Sequence, residues 1–220
     1  TLRQSAIKHK LYATFMAKPI ENQPGSSMHL HQSLYDNKTN QNIFYDKKHT
    51  ISNLMKNYIG GLQEFTPKLM PIHAPNVNSY RRLFATWDAP RNTKWGIGNR
   101  SCGFRIPSNE EISMRIENRI SGSDTNPYLV FAANLSAGFL GIKNKLKPTS
   151  ETKKSVFDDK KSSLPKNMEE AISIFEKDEQ IAEVFSQKFV RTISAIRRVE
   201  YQAYLKVISS WEREYLLLNV

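Results

Sequence analysis

Apolar residues recur at helical spacing in two long stretches of the chain. From residue 51 to residue 65 they lie three or four positions apart, despite Gly60 and Gly61, and they predict a helix that faces the core. A second apolar stripe, from Phe189 to Trp211, predicts one long helix near the C-terminus. The final letters YLLLNV are apolar enough to require a partner surface.

A third helix is predicted by the signals at its two ends. Asn126 is a typical N-cap, and Pro127 suits the first helical position. The segment closes with lysines near residue 145, and cations are favoured at a helix C-terminus. Because the residues between these ends are mainly apolar, we expect this helix to be mostly buried.

Short strands are predicted where polar and apolar residues alternate, first at residues 28–34 and again at residues 113–120. In each strand the apolar side chains take one face. The polar faces carry His29, His31 and Ser33 in the first strand, and Arg115, Glu117 and Arg119 in the second. Each strand therefore presents its charged and imidazole side chains together.

Four other stretches complete the assignment. Residues 11–19 are rich in β-branched and aromatic side chains and predict a buried strand that stops at a proline. Residues 102–107 alternate and predict another strand. Residues 73–101 hold several prolines and asparagines without a sustained period, which indicates functional loops. Residues 147–166 are charged and contain serine and proline, which predicts an exposed loop.

These elements predict an α+β fold, in which an antiparallel β-sheet is backed by packed helices and followed by a helical C-terminal segment. We divide the chain into residues 1–146, which hold the strands, the exposed loop at 147–166, and a helical segment of the same domain at 167–220. A length of 220 residues suffices for one domain with a sizeable core. Thr1 is not an initiator, and we expect the chain to begin inside a longer protein.

Composition excludes several classes of protein. Cys102 is the only cysteine, so the chain has no intrachain disulfide and no cysteine-rich zinc module. No apolar run approaches the roughly 20 residues that cross a bilayer, and the N-terminal letters lack a signal-peptide core. We therefore expect a cytoplasmic protein with no membrane partner.

The net charge of +11 has two sources with different meanings. Lysines are spread through loops, as in any lysine-rich proteome, so we do not expect a nucleic-acid partner, although charge alone favours one. Arginines are concentrated between residues 100 and 119, and arginine binds carboxylates and phosphates through paired hydrogen bonds. This cluster indicates an anion site, and its members are Arg100, Arg105, Arg115 and Arg119.

The candidate chemistry has two interpretations when the residues are taken alone. His29 and His31 are either ligands of a divalent metal or ordinary surface histidines, because no third histidine or cysteine lies nearby. Glu117, with an arginine two positions to either side, is either part of a solvated salt ladder or an acid that holds Mg²⁺ while the arginines hold phosphate.

Eight short motifs in register change this balance. They are ATFMAKP, GSSMHLHQS, NSYRRL, DAP, NRS, FRIP, RIENR and NPYL, and in this order they resemble the C-terminal half of the catalytic domain of the glutamine synthetase family. The resemblance covers essentially all 220 residues. It is closest to the γ-glutamylputrescine synthetase branch, on the strength of APNVNSYRR and PGSSMH.

The resemblance implies an ATP-dependent, ADP-forming glutamate–amine ligase that uses ATP and Mg²⁺ or Mn²⁺. Family members phosphorylate the glutamate side chain, and an amine then displaces phosphate from γ-glutamyl phosphate. The partners implied are glutamate, an amine and other copies of the chain in a homo-oligomer. Putrescine is the first choice of amine, and ammonia, as in glutamine synthetase, is the second. A basic nucleic-acid-binding module or an inactive structural module is the alternative of another class.

The resemblance also implies a role for individual residues. His29 and Glu117 match metal ligands, His31 and Ser33 match nucleotide contacts, Arg100, Arg105 and Arg115 match phosphate-binding arginines, Gly25, Arg82 and Arg119 match glutamate contacts, and Asp88 and Arg100 match catalytic positions. Asp88 stands where family members carry the glutamate that binds and deprotonates ammonium.

Some of the family pattern is missing from this chain. Pro24 and Ser27 depart from the usual letters of the glutamate-binding loop, and SNEEIS lacks a lysine found near the nucleotide in relatives. The remaining metal-binding glutamates of the family lie upstream of ATFMAKP. We therefore expect residues 1–220 to hold half a site and to be inactive alone.

Overall fold

In this computed structural model, four short strands are interspersed with helices along the chain. The structure describes residues 1–46, 50–84, 88–107, 110–159 and 162–220. The strands are β1 (Leu30–Gln32), β2 (Trp95–Ile97), β3 (Phe104–Ile106) and β4 (Ile116–Asn118). The helices are α1 (Leu2–Lys8), α2 (Asn53–Phe65), α3 (Met70–His73), α4 (Val77–Phe84), α5 (Pro127–Lys143), α6 (Met168–Lys177), α7 (Glu179–Phe185), α8 (Gln187–Leu205) and α9 (Ser210–Leu216), with 3₁₀ turns at Pro67–Leu69 and Glu111–Ser113.

The strands form one four-stranded sheet in the order β1-β4-β3-β2. β4 is antiparallel to both of its neighbours, whereas β2 and β3 are parallel, so the sheet is mixed rather than wholly antiparallel. The α+β class predicted from the sequence is confirmed. Residues 98–103 connect β2 to β3 and carry the chain back to the start of β2, so that β3 runs in the same direction as β2.

The sheet has one apolar face and one charged face, because side chains alternate along each strand. Leu30, Phe104 and Ile116 are buried in the core on one side. Glu117, which follows Ile116, points to the other side. The alternation predicted for residues 113–120 is therefore present in the structure.

The close packing of α2 on α5 explains the glycine pair inside α2. A Cβ atom at Gly61 would lie 2.1 Å from the carbonyl oxygen of Ala137 and 2.6 Å from Cα of Gly141. At Gly138 a Cβ atom would lie 2.1 Å from the ring of Tyr58. Both predicted helices are present, and the Asn126 side chain accepts hydrogen bonds from Tyr128 N and Leu129 N, as its N-cap position predicts.

Two predictions near the chain ends were wrong. Residues 11–19 form no strand, because among the described residues they join no β-ladder; Leu11 and Tyr12 are exposed, and Ala17 O accepts a backbone hydrogen bond from Ser26 N at 2.8 Å. The stripe from Phe189 to Trp211 is divided between α8 and α9. The second helix starts separately because Ser209 and Glu212 form a capping box, in which each side chain bonds the backbone of the other.

The segment predicted as functional loops also contains a helix, α4. Its signal was the spacing of Val77, Tyr80 and Phe84, which follows the helical period but was hidden by the prolines and asparagines around it. Further along, the backbone of residue 152 donates to Trp95 O at 2.9 Å, so the segment from 147 to 159 is bonded to the edge of the sheet. Within the described ranges, no helix is long and apolar enough to cross a membrane.

Replacing Gly61 with alanine should destabilise the protein. In an isolated helix this change is favourable by about 1 kcal/mol, but here the added methyl group meets the α5 backbone, and overpacking of this kind costs about 1–3 kcal/mol. We expect Gly61→Ala to lower the free energy of unfolding of the full-length protein, measured by denaturant titration, while Lys56→Ala on the exposed face of α2 changes it little. A neutral or stabilising Gly61→Ala would contradict the close approach.

Candidate active site

One row of paired strand positions places three charged or imidazole side chains side by side on the open face of the sheet. The β1–β4 register pairs His31 with Glu117, and the β3–β4 register pairs Glu117 with Arg105. Side chains at directly opposite positions of neighbouring strands lie close enough to interact. Arg115 and Arg119 extend the same face, because they lie two residues before and after Glu117.

Both oxygen atoms of the buried Glu117 carboxylate are held by guanidinium groups. Arg105 NH1 donates to Oε2 at 2.9 Å, and Arg119 NH1 donates to Oε1 at 3.0 Å. Burial alone would raise the pKa of Glu117, but the hydrogen bond from Arg105 and the charge of Arg119 outweigh it and hold the pKa below its usual value. Glu117 is therefore ionised at neutral pH.

The two histidines of the β1 strand region are kept neutral. Burial and the charge of Arg119 lower the pKa of His29, and burial together with the charge of Arg115 lowers that of His31, although Glu117 opposes both shifts. Neutral imidazole is the form that binds metals. Both rings lie on the outer face of the sheet, where neighbouring side chains shield them in part and leave them accessible.

The hydrogen bonds of His31 assign its proton. Arg115 Nε donates to His31 Nδ1 at 3.0 Å, so Nδ1 is an acceptor and the proton of the neutral ring is on Nε2. Nε2 lies 3.8 Å from Glu117 Oε1. Nδ1 is occupied by Arg115 and Nε2 carries the proton, so in this arrangement His31 offers no free nitrogen to a metal, whereas no hydrogen bond from another described residue engages the His29 ring.

The residues present fit a divalent metal in part. Glu117 supplies an ionised carboxylate, and His29 lies near it, since the charge of Glu117 acts on the pKa of the His29 ring. In the part of the chain that the structure describes, no group of three or more His, Cys, Asp and Glu side chains could hold a metal ion. Mg²⁺ favours six oxygen ligands, so these residues would provide only one portion of its coordination shell.

A second group of site residues surrounds Arg82 on α4. Its NH2 group donates to the carbonyl oxygen of Ile120, just beyond β4, and its side chain packs on Gly25. A Cβ atom at Gly25 would lie 2.6 Å from Arg82 Cγ, so only glycine allows this approach. Burial lowers the pKa of Arg82 to about 10, opposed by the charges of Asp124 and Asp88, and the guanidinium stays positive.

The two groups are neighbours, and the remaining predicted residues lie around them. The charge of Arg82 influences the pKa of His29, which connects the second group to the sheet face. Arg100 has an exposed side chain, and its carbonyl oxygen accepts from Arg119 Nε at 3.2 Å. Ser33 is exposed one residue beyond the end of β1.

Sequence reasoning missed the buried polar pair that supports β4. Asn118 Nδ2 donates to Asn134 Oδ1 at 2.7 Å, and Asn118 Oδ1 accepts from the backbone of Ile120. This pair joins the strand that carries Glu117 to α5. The available signal was a polar residue on the apolar face of a predicted strand, because a buried amide is retained only where its hydrogen bonds are satisfied.

Comparison with known proteins places the chain in a family. Residues 1–216 match the model described as "Glutamine synthetase, catalytic domain", and the chain belongs to that family. It is 33% identical over 218 residues to the γ-glutamylputrescine synthetase PuuA of Escherichia coli K12, covering 99% of this chain and 46% of that protein. It is 38% identical over 210 residues to a glutamine synthetase of Pyrococcus abyssi, covering 92% and 47% respectively.

Solved structures agree with this placement. An ADP complex of GmaS superposes with a TM-score of 0.88 at 30% sequence identity and covers 98% of this chain and 51% of the other. The resemblance inferred from the eight motifs is thus confirmed. The chain spans about half the length of the relatives it matches.

Removing the charge of Glu117 should destabilise the sheet face. In Glu117→Gln the two guanidinium groups lose a charged acceptor, and a hydrogen bond to a charged group contributes about 1.5–3 kcal/mol. We expect the free energy of unfolding of the full-length protein to fall by about that amount, measured by denaturant titration. Glu111→Gln, an exposed neighbour, is the control and should change little. Equal stability of the two variants would show that the ion pairs contribute nothing.

Proposed function

We propose that the full-length protein is an ATP-dependent ligase that joins the γ-carboxylate of glutamate to an amine through γ-glutamyl phosphate. The observation that carries this proposal is the arginine-rich sheet face around Glu117 in a chain of the glutamine synthetase family. Phosphoryl transfer depends on positioning and charge neutralisation more than on covalent help from the protein. A row of fixed guanidinium groups is suited to that task.

We assign the phosphate-binding role to Arg100, Arg105 and Arg115. Arg105 and Arg115 reach the sheet face from β3 and from the residue before β4, and Arg100 lies in the turn between β2 and β3. The three guanidinium groups carry three positive charges, whereas Glu117 carries one negative charge. The positive charge that remains is available to bind an anion. The His31 and Ser33 side chains, at the end of β1, would contact the nucleotide.

We assign glutamate binding to Gly25, Arg82 and Arg119. The buried Arg82 would hold the α-carboxylate, and Gly25 would let the substrate approach the backbone where a side chain would block it. A divalent metal, held in part by His29 and Glu117, would supply further neutralisation of the phosphate charge when bound. The remaining ligands would come from sequence that the relatives have and this chain does not cover.

The reaction then needs two displacements. A γ-carboxylate oxygen of glutamate attacks the terminal phosphorus of ATP, the bond to ADP breaks, and γ-glutamyl phosphate forms. The amine nitrogen next attacks the γ-carbonyl carbon, phosphate leaves, and the excess proton of the amine passes to Asp88. Burial lowers the pKa of Arg82 and the charge of Asp88 opposes that shift, so this carboxylate lies near the group assigned to glutamate.

For the amine we propose putrescine or a related diamine, because Asp88 is one methylene shorter than glutamate. Because the Asp88 side chain is shorter, its carboxylate lies farther from the amine. It therefore holds a small ammonium ion less well and leaves room for a carbon chain. The PuuA relative is named for putrescine. Ammonia is the second candidate, supported by the Pyrococcus abyssi glutamine synthetase, which is similar to this chain to a comparable degree.

Steady-state kinetics of the full-length protein with a panel of amines tests this assignment. We expect kcat/KM for putrescine to exceed that for ammonium by about tenfold or more, and Asp88→Glu to narrow the ratio. Asp158→Glu, on an exposed loop, should leave the ratio unchanged. Equal or better use of ammonium by the wild-type protein would reject the diamine and favour glutamine synthesis.

A further inference from the structure

A cavity of about 360 Å³ lies between α4, the start of α6 and the end of α8. On α4 it is lined by one helical face, which does not include Arg82. Its volume lies within the range of small-molecule sites. The lining residues are Val77, Tyr80, Arg81, Phe84, Lys166, Asn167, Met168, Tyr201 and Tyr204.

The lining of this cavity, which we call the α4–α8 cavity, is positively charged. Arg81 and Lys166 contribute cations, and none of the lining residues is acidic; the Glu170 carboxylate lies beside the cavity, where it accepts from Lys166 N at 2.8 Å. Among the described residues, no carboxylate lies within 4.0 Å of the Arg81 guanidinium or the Lys166 ammonium, by contrast with Arg105 and Arg119. Arg81 is instead directed across the cavity, where its NH2 group donates to Tyr204 Oη at 3.2 Å.

The walls of the α4–α8 cavity are aromatic. The rings of Tyr201 and Tyr204 are nearly parallel, with an interplanar angle of 24° and centroids 6.3 Å apart, and Phe84 faces the same space. Flat apolar groups pack well against such rings. A guanidinium beside them provides the charged end of a site for a flat anion.

Tyr80 forms part of the cavity wall, and its hydroxyl is an unsatisfied polar group behind that wall. Tyr80 is only 5% exposed, and its hydroxyl has no hydrogen-bond partner among the described residues. Buried hydroxyls are normally paired, because an unpaired one loses its bonds to water without replacement. The hydroxyl is closed off from solvent, so Tyr80 contributes its ring to the cavity wall and makes no hydrogen bond to a bound molecule.

We propose that the α4–α8 cavity binds a small carboxylate with a flat apolar body, of the class of aromatic acids. Arg81 and Lys166 hold the carboxylate, and the ring lies against Tyr201 and Tyr204. This site is separate from the sheet face of Glu117 and does not depend on the reaction assigned there.

Calorimetric titration of the full-length protein with benzoate tests the site. We expect saturable binding of one benzoate per chain and at least about tenfold weaker binding of benzamide, which has the same shape without the charge. Arg81→Met should weaken the binding of benzoate by about tenfold. If Arg81→Met does not fold, Lys166→Met is the second variant and should weaken the same binding. Arg191→Met, an exposed arginine elsewhere on α8, should leave binding unchanged.

Two further variants show whether benzoate binds in the α4–α8 cavity or elsewhere on the protein. Arg105→Ala should not affect benzoate, because Arg105 belongs to the sheet face. Tyr80→Phe should leave the binding of benzoate unchanged, because the buried Tyr80 hydroxyl does not reach the cavity. Absence of saturable binding, equal binding of benzamide, or a loss that follows Arg105→Ala instead of Arg81→Met would overturn the proposal.

Discussion

The ionised carboxylate of Glu117, held on each oxygen by an arginine, is the interaction on which the charged face of the sheet depends. It is buried, so its charge must be compensated within the protein, and Arg105 and Arg119 provide the compensation. The same bonds fix where the two guanidinium groups lie. Without the carboxylate, several arginines would repel each other on a small surface.

The rest of the fold keeps this carboxylate in place. The register of β1, β4 and β3 sets His31 and Arg105 on either side of it, and the apolar side chains of the same strands anchor the sheet on the core. Asn118, bonded to Asn134, joins β4 to α5, and α5 packs on α2 where glycines let the helices touch. Helix packing, the hydrogen bond between the buried amides and the strand register therefore all fix the position of β4.

The sequence predicted the local features and missed those that depend on distant contacts. Alternation around Glu117 and the end signals of α5 were sufficient, because period and capping are local properties. The parallel pairing of β2 with β3 and the contact of Gly25 with Arg82 join residues whose spacing carries no local signal. The clustering of arginines between residues 100 and 119 indicated an anion site, and the family motifs suggested the role of each arginine; those roles are still predictions.

The measurement that tests the account most directly is positional isotope exchange in ATP labelled with ¹⁸O between the β and γ phosphorus atoms. The full-length protein would be supplied with glutamate and no amine, so that reversible transfer to the γ-carboxylate lets the label scramble. The account predicts scrambling that requires glutamate, disappears in Arg105→Ala and persists in Arg191→Met. Scrambling without glutamate, or at the wild-type rate in Arg105→Ala, would contradict the role given to the arginine face.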